Sequence, residues 1–362
     1  MLHPRALSLL LVGAVAVAQS FVSPAHFTSA EGTASITAPF GSTAVPVRYL
    51  QIHGDVPAMT VSGMAFRWEC DPTGVTYPPF SVTLDAWIST AAVTAANPSS
   101  TFDANHGPDK VQVATHRTIA IPGSDPSLMP SPFVLDIPFD VPFPFAGSPA
   151  SLCWEVQITA RTNTLAAAFD GALNVVSVAI NPPLFATRGF AGCLTTGHVT
   201  PITITTALAP MNWPGGTGTA ADIAAEMLAN GPIFWVLGFD RVSWNGSPLP
   251  QTVPGSAGAP SGACQLRLDI AWTTFAVATA NGVTALRLAF GVQPALHGAE
   301  FYEQVIALDP AANAFGVTTS NLVVHQLVAP YPTPLPVCRV SALSLAATGA
   351  VDTSTFLVTQ FH

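Results

Sequence analysis

Asp103-Ala-Asn105-His-Gly107-Pro-Asp109 sets oxygen-bearing side chains at alternate positions around a glycine. A hard cation such as Ca²⁺ takes several oxygen ligands from one tight loop, so Asp103, Asn105 and Asp109 form a partial calcium site. No bidentate glutamate closes that loop. The plainer reading is an Asx-type turn, in which Asp103 and Asn105 bond their own backbone. Asp85 and Trp87 share one side of an alternating run with Ser81, Thr83 and Ser89. A flat indole beside a carboxylate on a sheet face is a surface on which a sugar ring can stack. The plainer reading there has Trp87 covered by a loop or a second domain.

Other reactive side chains are scattered. His53 and Asp55 lie two apart, while His106, His116, His198, His297 and His325 are isolated. The chain has no Gly-x-Ser-x-Gly elbow and no His-Glu-x-x-His, so a Ser-His-Asp triad could only assemble in space. Glu300 and Glu303 would point to opposite faces of a strand, which argues against the carboxylate pair of a glycosidase. Asp222 and Glu226, at i,i+4 spacing, read as the solvated face of a helix, and Asn245-Gly-Ser247 reads as a turn. No catalytic residue is assigned, and no cofactor beyond the calcium loop.

Charge excludes several classes. Of 362 residues only 9% are charged, against about 25% in an ordinary soluble domain; Lys+Arg number 11, Asp+Glu 20, and the formal net charge is −9. Lys110 is the single lysine. Nucleic-acid binding needs a basic patch that displaces counterions, and anionic membranes recruit polybasic segments; scattered arginines provide neither. With 49% hydrophobic residues and a mean hydropathy of +0.45, the chain can bury large cores. Arginine's planar fork suits buried pairs, such as Arg67 with Glu69 or with a carboxylate on a neighbouring strand.

His3 and Arg5 precede an unbroken run of apolar and small residues from Ala6 to Val15, and Ala16-Val17-Ala18 is a small-x-small cleavage site. This is the pattern of a secretory signal peptide over residues 1–18, too short to cross a bilayer. Export permits disulfides. Cys70, Cys153, Cys193, Cys264 and Cys338 include no C-x-x-C pair. Pairing within each half of the chain gives Cys70–Cys153 and Cys193–Cys264, leaving Cys338 for a link to another chain.

Beyond the leader the dominant period is two. Phe80, Val82, Leu84, Ala86 and Ile88 alternate with Ser81, Thr83, Asp85, Trp87 and Ser89; stretches 152–159 and 265–273 do likewise. One buried and one wet face marks antiparallel sheet. Similar runs recur over 45–53, 61–68, 111–115, 133–137, 173–180, 199–206, 233–239, 283–290, 301–308, 322–328, 338–345 and 355–361. Pro138, Pro142 and Pro144 alternate with Phe139, Phe143 and Phe145; their missing amide donors confine that stretch to an edge or loop. Only 219–228 reads as helix, with Thr219 as its cap. A double proline at Pro182-Pro183 suggests a boundary between about 181 and 192.

Two ordered sets of residues then add a resemblance. Leu237-Gly-Phe239, Trp244-Asn-Gly246, Pro248-Leu-Pro250, Gly258-Ala-Pro260, Cys264, Leu296-His-Gly298, Phe301-Tyr302, Gln304, Leu308-Asp-Pro-Ala-Ala-Asn313 and Ser320-Asn321 resemble a C-terminal β-sandwich module of secreted proteins from planctomycete-type bacteria. Ala30-Glu-Gly32, Pro39-Phe-Gly41, Arg48-Tyr49, Gln51-Ile52, Ala65-Phe-Arg67 and Asn105-His-Gly-Pro-Asp109 resemble the module found upstream of it. The resemblance implies an extracellular, β-rich, two-module protein and carries over no catalytic residues. The chain departs from it in a turn before Cys264 two residues longer than usual and in some thirty extra residues at the end.

The expectation is an all-β fold: two antiparallel β-sandwiches (jelly-roll or immunoglobulin-like) in tandem. They span 19–188 and 189–328, after the leader 1–18 and before a Pro-rich hinge and strand extension over 329–362. The function expected is that of a secreted, non-catalytic surface, matrix or binding protein. The alternative is carbohydrate binding through Asp85 and Trp87; a weaker one is an extracellular hydrolase with a site between the domains. Its partners are then further copies of itself, linked through Cys338, or a surface polymer, with neither nucleic acid nor membrane insertion.

Overall fold

The alternation read from sequence becomes strand. Along Phe80–Thr90 the buried positions are Phe80, Val82, Leu84, Ala86 and Ile88, with Ser81, Thr83, Asp85 and Trp87 turned to the other face. The computed structural model describes residues 20–70, 76–125, 128–162, 165–174, 184–189, 191–208, 217–256, 262–291, 294–327 and 334–362. The expected leader (1–18), the double-proline boundary at 181–183 and hinge residues 330–333 lie outside the described residues.

The first strands are β1 (Phe21–Ser23), β2 (Ala34–Ile36), β3 (Val47–His53), β4 (Met59–Arg67), β5 (Phe80–Thr90), β6 (Val111–Ile121), β7 (Phe133–Phe145), β8 (Leu152–Arg161) and β9 (Phe169–Leu173). Next come β10 (Leu184–Gly189), β11 (Thr203–Leu208), β12 (Thr217–Ala225), β13 (Pro232–Gly238), β14 (Ser243–Trp244), β15 (Ser247–Pro248), β16 (Gln251–Thr252), β17 (Gln265–Leu266), β18 (Trp272–Val277), β19 (Thr284–Gly291), β20 (Glu300–Leu308), β21 (Val317–Thr319) and β22 (Leu322–Leu327). The chain ends with β23 (Val337–Ala342), β24 (Ala350–Asp352), β25 (Thr355–Leu357) and β26 (Thr359–Phe361).

A four-stranded sheet, β1-β26-β4-β7, and a six-stranded sheet, β24-β23-β3-β8-β5-β6, contribute to one core. Val61, Phe66, Leu135 and Ile137 pack there with Tyr49, Leu84, Ile88 and Trp154. The sheet β2-β9-β25 adds Ile36, Phe169 and Leu357 to it. A second core joins the sheet β10-β22-β20-β13-β18, with β21 added beside β20, to the sheet β11-β12-β19. There Ile204 and Ala224 meet Ile233, Trp235, Val305 and Val323. Removing this much apolar surface from water, at about 25 cal/mol per Å², drives both assemblies. The fold is all-β, with antiparallel sheets arranged as β-sandwiches.

Two of the last strands, β23 and β26, are inner members of the first sheets. β23 pairs along β3 from Val337↔His53 to Ala342↔Arg48, and β26 lies between β1 and β4. Residues 337–361 therefore complete sheets begun by residues 21–161. The prolines behave as anticipated: β7 is an edge strand, where a missing N–H breaks no ladder, and Phe143 and Phe145 still reach the core.

Two local readings are corrected. The helix expected over 219–228 is strand β12 instead, paired on both sides by β11 and β19. Its alanines have a high helix propensity, but two flanking strands outweigh that local preference. Trp272, placed by alternation on the buried side with Leu266, Leu268 and Ile270, is 47% exposed on edge strand β18. The stretch 265–273 is broken between β17 and β18, which resets the alternation.

Candidate functional site

The two surface candidates from the sequence meet on the outer face of the six-stranded sheet. Trp87 on β5 stands opposite Glu155 of β8 on one side and Gln112 of β6 on the other. The Lys110 ammonium lies 5.6 Å from the Trp87 ring centroid, 2.8 Å from Asp103 Oδ1 and 3.5 Å from Glu155 Oε2. Glu155 is fully buried. Arg48 clasps it through Nε at 2.7 Å and a terminal nitrogen at 3.2 Å, Gln157 Nε2 donates to Oε1 at 2.9 Å, and His106 Nε2 lies 3.0 Å from Oε2. Burial alone would raise the Glu155 pKa; the hydrogen bonds from His106, Arg48 and Gln157 prevail and hold it at about 2.

Around Trp87 this face carries hydroxyls and amides. Thr83 and Thr118 hydroxyls are 3.0 Å apart, and Asp85 Oδ1 accepts from Gln112 Nε2 and from the His116 N–H. Trp87 is partly exposed opposite Gln112, and Gln157 stands opposite Asp85 on the same face. Elsewhere the same sheet is sealed: Leu50, Ile52, Cys153, Cys338 and Val340 are buried with Ala95 and Phe102.

The three side chains of the calcium reading are engaged within the chain. Asp103 Oδ1 is shared by Lys110 and Arg48, two cations that would repel a third, and the Lys110 hydrogen bond holds its pKa below the usual range. The Asn105 amide is spent on the loop: Oδ1 accepts from Ser99 N, and Nδ2 donates to the carbonyls of Ser99 and Thr101. Both Asp109 oxygens accept from Thr90 N. The Asn105 and Asp109 bonds shape the loop, and the Asp103 carboxylate serves two cations already in the chain.

A Ser-His-Asp set exists, in an order unsuited to catalysis. Trp154 Nε1 donates to His53 Nε2 at 2.9 Å, so the imidazole proton sits on Nδ1 and is donated to Ser23 Oγ at 2.6 Å. Ser23 in turn donates to Asp55 Oδ1. A nucleophilic serine must give its proton to an imidazole, whereas Ser23 receives one. Burial pushes His53 down to about 3, so it is neutral. Sequence spacing found His53 and Asp55; Ser23, on β1, carried no signal.

Arg67 pairs with the buried carboxylate Asp170 of β9 at 2.6 Å rather than with Glu69, and donates to the carbonyls of Phe27 and Ala30. Glu31 lies in the same knot, its oxygens accepting from Cys70 N and Ser131 N; burial, then the charge of Asp170, pushes it up to about 8. Glu31, Glu69 and Asp170 could in principle hold a cation, but Arg67 already supplies one.

Of the disulfides, Cys193–Cys264 forms, with Cα atoms 5.2 Å apart. Cys70–Cys153 does not. Cys70 gives its thiol proton to the Leu128 carbonyl near Met129 and Tyr302, while Cys153 lies in the sealed part of the six-stranded sheet. Cys338 is buried as well, on the other side of Ile52 from Cys153, so it cannot link to another chain without unfolding. A further group, Asp222, Glu303 and His325, was missed altogether: the first was read as solvated helix and the last as isolated, yet all three meet inside the second core.

No protein-family model, no curated protein and no solved structure matches the chain. Among the described residues no helix is long and apolar enough to cross a membrane.

Proposed function

We propose that this is an extracellular, non-catalytic binding protein whose first sandwich presents a polysaccharide-contact face centred on Trp87. The observation that carries this reading is a partly exposed indole on a sheet face that also carries Asp85, Gln112, Gln157 and the Thr83–Thr118 hydroxyl pair. Such a surface offers a sugar a ring face to stack on and donors and acceptors for its hydroxyls. The buried Glu155–Arg48–His106 network beside it holds the strands in fixed positions, so little ordering is lost on binding. The Cys193–Cys264 bridge and the resemblance to exported two-module proteins support the location. The direction of the Ser23–His53–Asp55 relay supports the absence of catalysis there.

Affinity electrophoresis against a panel of soluble polysaccharides tests this. The protein is retarded by at least one of them, and Trp87→Ala weakens that retardation about tenfold, while Trp272→Ala, at an exposed tryptophan elsewhere, leaves it unchanged. Retardation by none, or an unaffected Trp87→Ala variant, overturns the reading.

A further inference from the structure

Asp222 on β12, Glu303 on β20 and His325 on β22 come from two facing sheets and are fully buried. Strand alternation delivers them. Glu303, Val305 and Ala307 share the inward side of β20, Val323 and His325 that of β22, and Asp222 and Ala224 that of β12. The register Glu303↔Val323 and Phe301↔His325 sets the carboxyl and the imidazole on a diagonal. His325 Nε2 lies 2.8 Å from Glu303 Oε2 and 3.9 Å from Asp222 Oδ2, and one ligand atom from each residue falls within 4.8 Å of the others. The Phe301 ring lies 4.4 Å from the imidazole at 10° and fixes its plane.

A sandwich core is an expensive place for two carboxyl groups and an imidazole. Glu303 makes the point sharper, because its Oε1 is buried with no hydrogen-bond partner. Ligands held at 2.0–2.2 Å from one ion stand roughly 3–3.5 Å apart, a span that the separations of 2.8 and 3.9 Å bracket. We propose that Asp222, Glu303 and His325 bind one divalent first-row transition ion that ties the two sheets of the second sandwich together. One imidazole nitrogen with carboxylate oxygens suits Zn²⁺ or Mn²⁺ better than Ca²⁺, which takes six to eight oxygens. Bidentate ligation by Glu303 uses its orphan Oε1 as a fourth donor. A site walled by Val305, Trp235 and Val323 leaves no open position for substrate, so its role is structural.

The test uses the full chain, stripped with a chelator and titrated with Zn²⁺ and, for its colour, Co²⁺. The expected result is about one equivalent bound per chain, visible Co²⁺ absorption of a low-symmetry nitrogen–oxygen site, and a melting temperature raised by Zn²⁺. Glu303→Gln and His325→Gln each weaken uptake about a hundredfold; if either fails to fold, the Co²⁺ spectrum of the unsubstituted chain decides alone. No stoichiometric uptake, with identical melting of stripped and zinc-treated protein, overturns the proposal. In that event the carboxyls are neutralised internally, by a proton shared between them. Uptake that survives both substitutions also overturns it and points to a surface pair such as His198 and Glu226.

Discussion

At the scale of single residues, two buried carboxyls in the first sandwich respond to pH in opposite senses. Glu155, with a folded pKa of about 2 against an ordinary 4.5, favours the folded state whenever it is ionised. Its contribution is complete above pH 4.5 and is lost as pH falls from there toward 2. Glu31, raised to about 8, does the reverse: the folded state keeps a proton that the unfolded state has released, so stability falls as pH rises from 4.5 to 8. Denaturant unfolding of Glu31→Gln should therefore remove a decline of up to about 1.4 kcal/mol per pH unit between those values. A variant retaining the wild-type slope there would assign the decline elsewhere. Glu155→Gln leaves the Arg48 guanidinium with the exposed Asp103 as its remaining carboxylate partner and should cost about 3 kcal/mol at pH 7, with the acid-limb slope flattened. At this scale the sequence showed residue types without partners. Trp87 and Asp103 were visible as chemistry, but only the fold shows that Lys110 joins them; Asp222, Glu303 and His325 sit on separate strands, and no spacing along the chain encodes their meeting.

At the scale of elements, alternation was legible wherever one face of a strand is buried and the other wet, as in β5. It failed where that contrast disappears. β3 and β22 are buried at every position, so only their apolar content marked them as strand. β12 combines helix-favouring alanines with an aspartate that faces a core. The long-range pairings left no local trace: nothing in residues 337–361 announces that β23 runs beside β3 or that β26 fills the gap between β1 and β4. Removing those strands leaves β1 separated from β4 and bares the β3 edge. A chain ending at Leu335 should lose the cooperative unfolding transition of the first sandwich, followed by near-ultraviolet circular dichroism of its buried Trp68 and Trp154. A truncated protein with the native aromatic signal would show that the C-terminal strands only decorate those sheets. A milder change probes the same join. Asn174 accepts from Leu335 N at 2.6 Å and donates to the Thr353 carbonyl at 2.9 Å, clasping the end of β9 to the returning chain. Asn174→Ala leaves that backbone donor without its partner and should cost about 1–3 kcal/mol in the same transition.

At the scale of the whole molecule, the two cores meet through buried contacts rather than through charge. Cys70 and Met129 pack with Val236, Tyr302, Leu322 and Val324, and the Glu31 N–H donates to Gln326 Oε1 at 2.7 Å. With so few charges in the chain, such an interface changes little with salt. Its cysteines then give a readout of how the molecule comes apart. Cys70 lies in that shared cluster, Cys153 and Cys338 lie in the sealed part of the first sheet, and Cys193–Cys264 closes a separation of 71 residues in the second sandwich. In native buffer no thiol should react with a colorimetric disulfide reagent; in denaturant without reductant three should react, and five after reduction. One reactive thiol would mean a second bridge, and five before reduction would mean none. Reducing the one bridge removes a constraint worth about 4 kcal/mol in the loop-entropy account. That loss should lower the melting of the second sandwich while the Trp68 and Trp154 signals of the first persist to their original temperature. If both signals fall together, the buried contacts around Cys70 couple the two cores into one cooperative unit, and the bridge stabilises the whole chain.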